Sequence, residues 1–276
     1  MTEAVATERR IVRVPPAVAF GSGFGKYKPE AEKDVRKVEV KEDRVLEQLK
    51  AALRKFEYND NEYSDANYKN ALGHVKDLVY SAKDVENFSV ALAGFQDENR
   101  CSEKAGHFLS ALINNGKDSE YVIHTRHLNR GIDFLGYGNT KNITVEGDVG
   151  VFVGENMRCG TITVNGSAGE YAGAKMEGGT ITVNGNALHW VGNEMKGGKI
   201  TVNGNVPRGI GWHMQGGSIT VNGNAKDVIG KEMKGGEIHL EGDYESIAEK
   251  LEKGKIYHKG KLIVDDGELT YEEWFL

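Results

Sequence analysis

The sequence has few cysteines, few prolines and no long apolar run, and each shortage excludes a class of protein. Two cysteines among 276 residues are too few for a disulfide framework, and they do not form a Cys-x-x-Cys pair. No apolar run approaches the roughly 18 residues of a membrane-spanning helix, and residues 1–16 lack the apolar segment of a signal peptide. The net charge of −6 provides no attraction for nucleic acid or anionic lipid. We therefore expect a cytoplasmic protein with neither nucleic-acid nor membrane partners.

Glycine, in contrast, is abundant and periodic. The chain has 36 glycines, and many of them recur every 19 residues together with five of the six methionines. The glycine columns are Gly147, Gly166, Gly185, Gly204, Gly223 and Gly242; Gly154, Gly173, Gly192, Gly211 and Gly230; and Gly160, Gly179, Gly198, Gly217 and Gly236; the methionines are Met157, Met176, Met195, Met214 and Met233. A repeat of this length is too short to fold alone, so it buries its apolar face by stacking on its neighbours.

Five of the six repeats contain an Ile-x-Val step and the sixth an Ile-x-Leu step, which has the two-residue period of a β-strand with both apolar side chains on one face. Stacked in register, six such repeats predict a parallel β-helix, and the flexible methionine thioethers are expected to fill the other side of its core. The expected inward columns are Ile143, Ile162, Ile181, Ile200, Ile219 and Ile238, with Val145, Val164, Val183, Val202, Val221 and Leu240. A column of four asparagines, Asn165, Asn184, Asn203 and Asn222, predicts an amide ladder beside the corner glycines.

The repeat degenerates after Gly242, and the residues that follow predict a cap over the open end of the coil. We expect a short amphipathic helix over residues 244–251, a shortened turn over 254–260 and a final strand over 261–264. The β-helix with its C-terminal cap is therefore placed at residues 143–276.

Residues 1–118 have a different character. Residues 1–40 are expected to form a charged arm, and apolar side chains at helical spacing predict a small, mainly helical domain over 41–118, with Ser102 as a helix N-cap. Residues 119–142 form the junction, in which 121–123 is expected to be a strand leading into the first turn. The predicted fold class is α+β with two domains, the helical one preceding the parallel β-helix.

The densest polar cluster outside the repeats lies in the junction, at His124-x-x-His127 with Arg130. A metal site needs three or four ligands, so two histidines do not define one and no metal ligands are assigned. The favoured interpretation is a polar junction that fixes the helical domain to the first turn. Binding of a metal or an anion there is the alternative.

Residues 19 apart lie directly above one another in such a coil, so columns on its surface can also be read from the sequence. Phe152, Tyr171 and Trp190 align, and exposed tyrosine and tryptophan are natural anchors of protein contacts. The candidate docking face comprises Tyr171, His189, Trp190, Arg208 and Trp212. The alternative is a solvated charge ladder beside an aromatic stack that has no partner.

Two segments carry the repeat in full: Gly-Gly-Thr-Ile-Thr-Val-Asn-Gly-Asn-Ala at 178–187 and Val-Gly-Asn-Glu-Met-Lys-Gly-Gly at 191–198. The repeat resembles the GXGXG β-helix family over about residues 140–242. That family includes one of the subunits of formylmethanofuran dehydrogenase and the C-terminal domain of the glutamate synthase large subunit. The resemblance implies a right-handed coil that binds no cofactor and holds catalytic neighbours in place. Family turns often have a glycine before the methionine, which is replaced here in every turn.

Together these features lead to a functional expectation. The protein is expected to be a non-catalytic assembly module, a scaffold associated with an oxidoreductase-type enzyme complex, with protein partners or a second copy of itself and with no cofactor. One alternative is an enzyme or redox subunit with a site at the junction, near His124, His127 and Arg130. Another is a small-molecule binder that uses the aromatic face.

Overall fold

The structure is a computed structural model that describes residues 43–61, 64–249 and 251–270. These residues belong to one compact unit, Glu42–Leu276. The predicted charged arm at 1–40 and the last residues of the predicted cap, 271–276, lie outside the described residues.

The described chain begins with α-helices, as the predicted mainly helical region requires, and there are four of them in the described residues. They are α1 (Arg44–Lys55), α2 (Ser64–Val75), α3 (Ala82–Ala91) and α4 (Cys101–Asn115), with a 3-10 turn at Leu92–Phe95. Asp43 caps α1 by accepting hydrogen bonds from two backbone N–H groups, and Ser81 forms a capping box at the start of α3. Within the described residues, no helix is both long and apolar enough to cross a membrane.

Ser102 does not cap α4, so that prediction is wrong. The cap position belongs to Arg100, which is left-handed at φ 56° and makes no side-chain capping bond. The Ser102 hydroxyl instead donates to the Gly131 carbonyl at 2.7 Å and accepts from the Asp133 N–H at 3.0 Å. The Ser102 hydroxyl, which could cap the N-terminus of an isolated helix, is therefore hydrogen-bonded to the first turn of the β-helix.

After α4 the chain winds into a coil of short strands. They are β1 (Glu120–His124), β2 (Asn142–Glu146), β3 (Thr161–Val164), β4 (Thr180–Val183), β5 (His189–Val191), β6 (Lys199–Val202), β7 (Val206–Ile210), β8 (Ser218–Val221), β9 (Ala225–Ile229), β10 (Lys234–Leu240), β11 (Lys253–His258), β12 (Lys261–Asp265) and β13 (Glu268–Leu269). The successive parallel rungs of the long sheet are β1, β2, β3, β4, β6, β8, β10 and β11. A short parallel sheet on another wall consists of β5, β7 and β9. The parallel β-helix is thereby confirmed.

The core of the coil follows the predicted columns. Ile143 pairs with Ile162 and Ile162 with Ile181, so like side chains stack at the 19-residue step. All the predicted inward Ile, Val and Leu side chains are buried, and the five methionines of the column are fully buried. The coil is therefore a packed aliphatic rod with no open interior channel along these columns.

Two polar ladders run along one corner of the coil. The amides of Asn165, Asn184, Asn203 and Asn222 bond to one another at 2.7–2.8 Å, which confirms the predicted ladder. Beside it, side-chain oxygens of Asp148, Ser167, Asn186, Asn205 and Asn224 each accept the backbone N–H of the residue 19 positions later, at 2.7–3.2 Å. This second ladder satisfies the corner N–H groups that the strands leave unpaired.

At the N-terminal end of the coil, the helices cover β1. Helix α3 packs along β1, and the Ser89 hydroxyl accepts a hydrogen bond from the His124 N–H at 3.0 Å. Strand β1 is the first full rung of the coil as well as its lead-in, because it pairs with β2 over its whole length. An exposed strand edge invites another chain to pair, and here part of the helical region lies against it.

The C-terminal end differs from the prediction. The described residues of 244–251 are not helical: Ile247 forms a parallel bridge with Ile229, and Glu245 and Ser246 donate backbone bonds to the Lys226 carbonyl. The edge of β9 offers backbone partners that a helix could not use, so the chain keeps winding. The predicted shortened turn follows as β11, and the predicted final strand, β12, turns back antiparallel against it.

The third glycine column should be essential for this close stacking. Gly198 has φ +89°, and a Cβ there would lie 2.7 Å from the Gly179 carbonyl oxygen and 2.7 Å from Met176 Cε. We expect Gly198→Ala to lower the free energy of unfolding by about 2 kcal/mol or more, measured by urea denaturation. Gly94→Ala is the matched control, because a Cβ there meets nothing within 4 Å. Equal stability of the two variants would contradict this account.

Candidate functional site

The first turn of the coil contains an inserted loop. His124 pairs with Glu146, and Ile132 forms a bridge with Val149. Seven residues lie between His124 and Ile132, whereas only two lie between Glu146 and Val149. The five additional residues fall within 125–131, where the regular turns have a tight corner. Insertions in repeat proteins commonly form binding loops on a rigid frame, so this loop is the first candidate site.

The three junction residues predicted from the sequence occupy different environments. His124 lies at the end of β1 with Nε2 3.1 Å from Glu86 Oε1 of α3, and that hydrogen bond lowers the pKa of Glu86. His127 and Arg130 are exposed in the inserted loop. No hydrogen bond or ion pair joins the three to one another in the described part of the chain. His124 thus ties a helix to the coil, as a polar junction predicts, whereas the loop residues face solvent.

Cavities lie on both sides of the loop. The larger, about 590 Å³, is bounded by α4, the 3-10 turn and the loop, and the smaller, about 440 Å³, lies between the loop and the second turn. Leu128, Asn129 and Arg130 line both, so the loop is the wall between them.

The larger cavity has apolar and charged walls. Leu92, Ala105 and Ile132 are buried at its lining. Arg100 is neutralised there, because its guanidinium contacts Asp60 at 2.9 Å and Glu103 at 2.8 Å. Burial raises the pKa of the neighbouring Cys101 thiol, which therefore stays protonated and is a poor nucleophile.

The aromatic side chains stack along one edge of the coil. Ring centroids lie 5.0 Å apart for Phe134 and Phe152, 4.7 Å for Phe152 and Tyr171, 6.4 Å for Tyr171 and Trp190, and 4.7 Å for Trp190 and Trp212. Since the rings lie above one another, their faces are largely covered by their neighbours. The stack joins the helical side of the molecule to the middle turns.

The stack depends on an unusual backbone. Phe152, Tyr171 and Trp190 all adopt left-handed conformations, with φ between 61° and 66°. One turn later the same column holds Gly209, where a Cβ would lie 2.3 Å from the Trp190 ring. The missing side chain leaves room for the Trp190 indole, which also packs against the Trp212 ring.

Charged and apolar side chains surround the tryptophans. The Arg208 guanidinium lies 5.6 Å from the Trp190 ring centroid, and the Lys231 ammonium lies 5.4 Å from that of Trp212. Arg208 also contacts Asp227 at 3.7 Å. Leu188, two residues before Trp190, is 48 % exposed. Cations over indoles beside an exposed leucine form a surface of the composition found at protein interfaces.

Two buried titratable groups were not anticipated from the sequence. His107 on α4 is fully buried and Nε2 has no hydrogen-bond partner, and burial lowers its pKa to about 4. Glu155, in the second turn, is 5 % exposed; its Oε2 has no partner, and burial raises its pKa despite Lys175 at 3.9 Å. Neither residue belongs to a sequence motif. In the sequence, His107 is one residue of an amphipathic helix and Glu155 is one polar residue at a corner of the coil.

A scan against protein-family models gives no match for this chain, and a search of curated proteins gives none either. The resemblance to the GXGXG family thus stays a prediction. In the described residues, no group of three or more His, Cys, Asp or Glu side chains is arranged to hold a metal ion.

The buried imidazole should make stability depend on pH. Because the native pKa of His107 lies below its ordinary 6.5, only the unfolded state takes up its proton as the pH falls from 6.5 to about 4, and stability is lost over that range at up to about 1.4 kcal/mol per pH unit. His107→Phe keeps a ring against Phe134, 4.6 Å away, and removes this dependence. We expect its urea midpoint to fall less steeply than that of the unaltered protein between pH 6.5 and 4. The exposed His127→Gln should behave like the unaltered protein, and parallel curves for all three would disprove the assignment.

Proposed function

We propose that this protein is a non-catalytic assembly module whose β-helix presents a docking face to protein partners. The docking face comprises Tyr171, His189, Trp190, Arg208 and Trp212, extended here by the exposed Leu188. By its resemblance to the GXGXG family, the partner is an enzyme subunit of an oxidoreductase-type complex.

The observation that carries this proposal is the composition of the aromatic edge. Tryptophan, tyrosine and arginine dominate binding energy at protein interfaces, and here they lie together over consecutive turns. Leu188 adds apolar area in contact with water, which a partner could cover. The side chains are already ordered by stacking, so binding would lose little further rotamer entropy.

The interior of the coil also favours a structural role. Its aliphatic and methionine columns are buried, and polar ladders link each regular turn to the next. A rod of this kind holds a surface in a fixed geometry, which is what a scaffold requires.

The junction supports a second candidate, an enzyme or redox subunit. Its support is the cavity of about 590 Å³ beside the inserted loop, a volume typical of small-molecule sites. The aromatic face is a weaker candidate for binding small molecules, because a flat ligand stacks on ring faces and here neighbouring rings occupy them.

A single charged substitution on the docking face should distinguish the assembly module from the two other candidate functions. Leu188→Glu places a carboxylate among the proposed contacts, and since the side chain is 48 % exposed the fold should tolerate it. In affinity purification of the tagged full chain from its native cells, quantified by mass spectrometry, we expect at least a tenfold loss of co-purifying partner.

Val79→Glu is the matched control, because it makes the same change at an 85 % exposed position among the helices. It should retain the partner. The proposal fails if native mass spectrometry of the unaltered protein shows only the 30.3 kDa monomer, or if both variants lose the partner equally.

A further inference from the structure

The smaller cavity beside the inserted loop has an almost wholly polar lining. Its volume is about 440 Å³, and its polar lining includes Thr125, Arg126, Asn129, Arg130, Asp148 and Asn165. The loop forms one side of the cavity, and the corner of the second turn forms the other. It lies at the start of the two polar ladders, to which Asp148 and Asn165 belong.

One guanidinium at this cavity makes no close ion pair. Arg126 contacts Glu146 at 3.3 Å, and Asp148 Oδ1 accepts the Ser167 N–H at 2.7 Å. Arg130 lines the cavity, is exposed and makes no close ion pair with any described residue, although its charge acts on the Asp133 carboxylate at longer range. The exposed guanidinium can therefore still accept a ligand, and its planar fork suits phosphate and carboxylate oxygens.

Hydrogen-bond donors around Arg130 are also unused. Thr125 is only 3 % exposed, and its buried hydroxyl has no hydrogen-bond partner. Among the described residues, none accepts a hydrogen bond from the backbone N–H of His127, Arg130 or Gly131. A buried hydroxyl without a partner is uncommon in folded proteins and calls for an explanation, such as an absent ligand or water.

The cavity keeps its shape because two glycines permit close backbone contact. A Cβ on Gly147 would lie 2.5 Å from Thr125 Oγ1 and 2.6 Å from the Arg126 nitrogen. A Cβ on Gly131 would lie 2.4 Å from the Val149 carbonyl carbon. Both ends of the loop are thus packed directly onto the second turn.

We propose that the inserted loop binds an oxyanion, the phosphate or carboxylate group of a small molecule, in this smaller cavity. Arg130 supplies the charge, and Thr125, Asn129 and the loop N–H groups supply the hydrogen bonds. The lining holds two arginines, Arg126 and Arg130, against one carboxylate, Asp148, and this charge balance favours an anion over a cation. This site is independent of the proposed docking face, and either can fail alone.

Isothermal titration calorimetry of the full chain tests the site, with inorganic phosphate and with acetate as separate probes and with chloride at equal ionic strength as the reference. We expect a saturable heat for at least one oxyanion with a Kd on the order of 1 mM or lower, and none for chloride. Phosphate alone would identify a phosphoryl ligand, and acetate alone a carboxylate; either result supports the proposal.

Variants then assign the residues. Arg130→Gln should weaken binding at least tenfold, whereas Arg158→Gln, which removes the same charge from an exposed position outside both cavities, should leave it unchanged. Thr125→Val keeps the side-chain shape and removes the unpartnered hydroxyl. We expect it to weaken binding while the Tm of the free protein stays equal or rises. The proposal is overturned if neither oxyanion gives heat above chloride, or if Arg158→Gln weakens binding as much as Arg130→Gln.

Discussion

The backbone pairing of each turn with the turn 19 residues before it is the constraint on which the rest of the molecule depends. The N–H of Asn184 bonds to the Val164 carbonyl and that of Asn203 to the Val183 carbonyl, and the same step repeats along the coil. A strand that slips by one residue turns its apolar side chains outward, so this register also aligns the core. Glycine is required where neighbouring backbones approach too closely for a Cβ, as at Gly198.

A coil so constrained can vary in only a few places, and the candidate sites lie there. One is the corner of the first turn, where additional residues form a loop between two cavities. Another is the left-handed column that carries Phe152, Tyr171 and Trp190, whose side chains project from the edge. The packed turns between these places hold both surfaces rigid, an arrangement suited to a scaffold that presents one face and binds a small ligand at another.

Most of the coil was predictable from its sequence, because its contacts are local to the repeat. The isoleucine, valine and methionine columns were assigned by counting 19 residues, and all are buried. The errors lie where the repeat stops. A helical pattern after Gly242 was overridden by the free edge of β9, and the Ser102 hydroxyl was taken by Gly131 and Asp133, which are about 30 positions away along the chain.

The sequence alone determined the period, the inward columns and the aromatic alignment, since each follows from identical residues at a constant step. Only the tertiary structure decided how the ends are covered and which polar groups lose water: His107 and Glu155 lie buried among aromatic and coil residues, and Thr125 lies beneath the inserted loop. Burial of a single polar atom depends on packing between segments distant in sequence, and no periodic pattern records it.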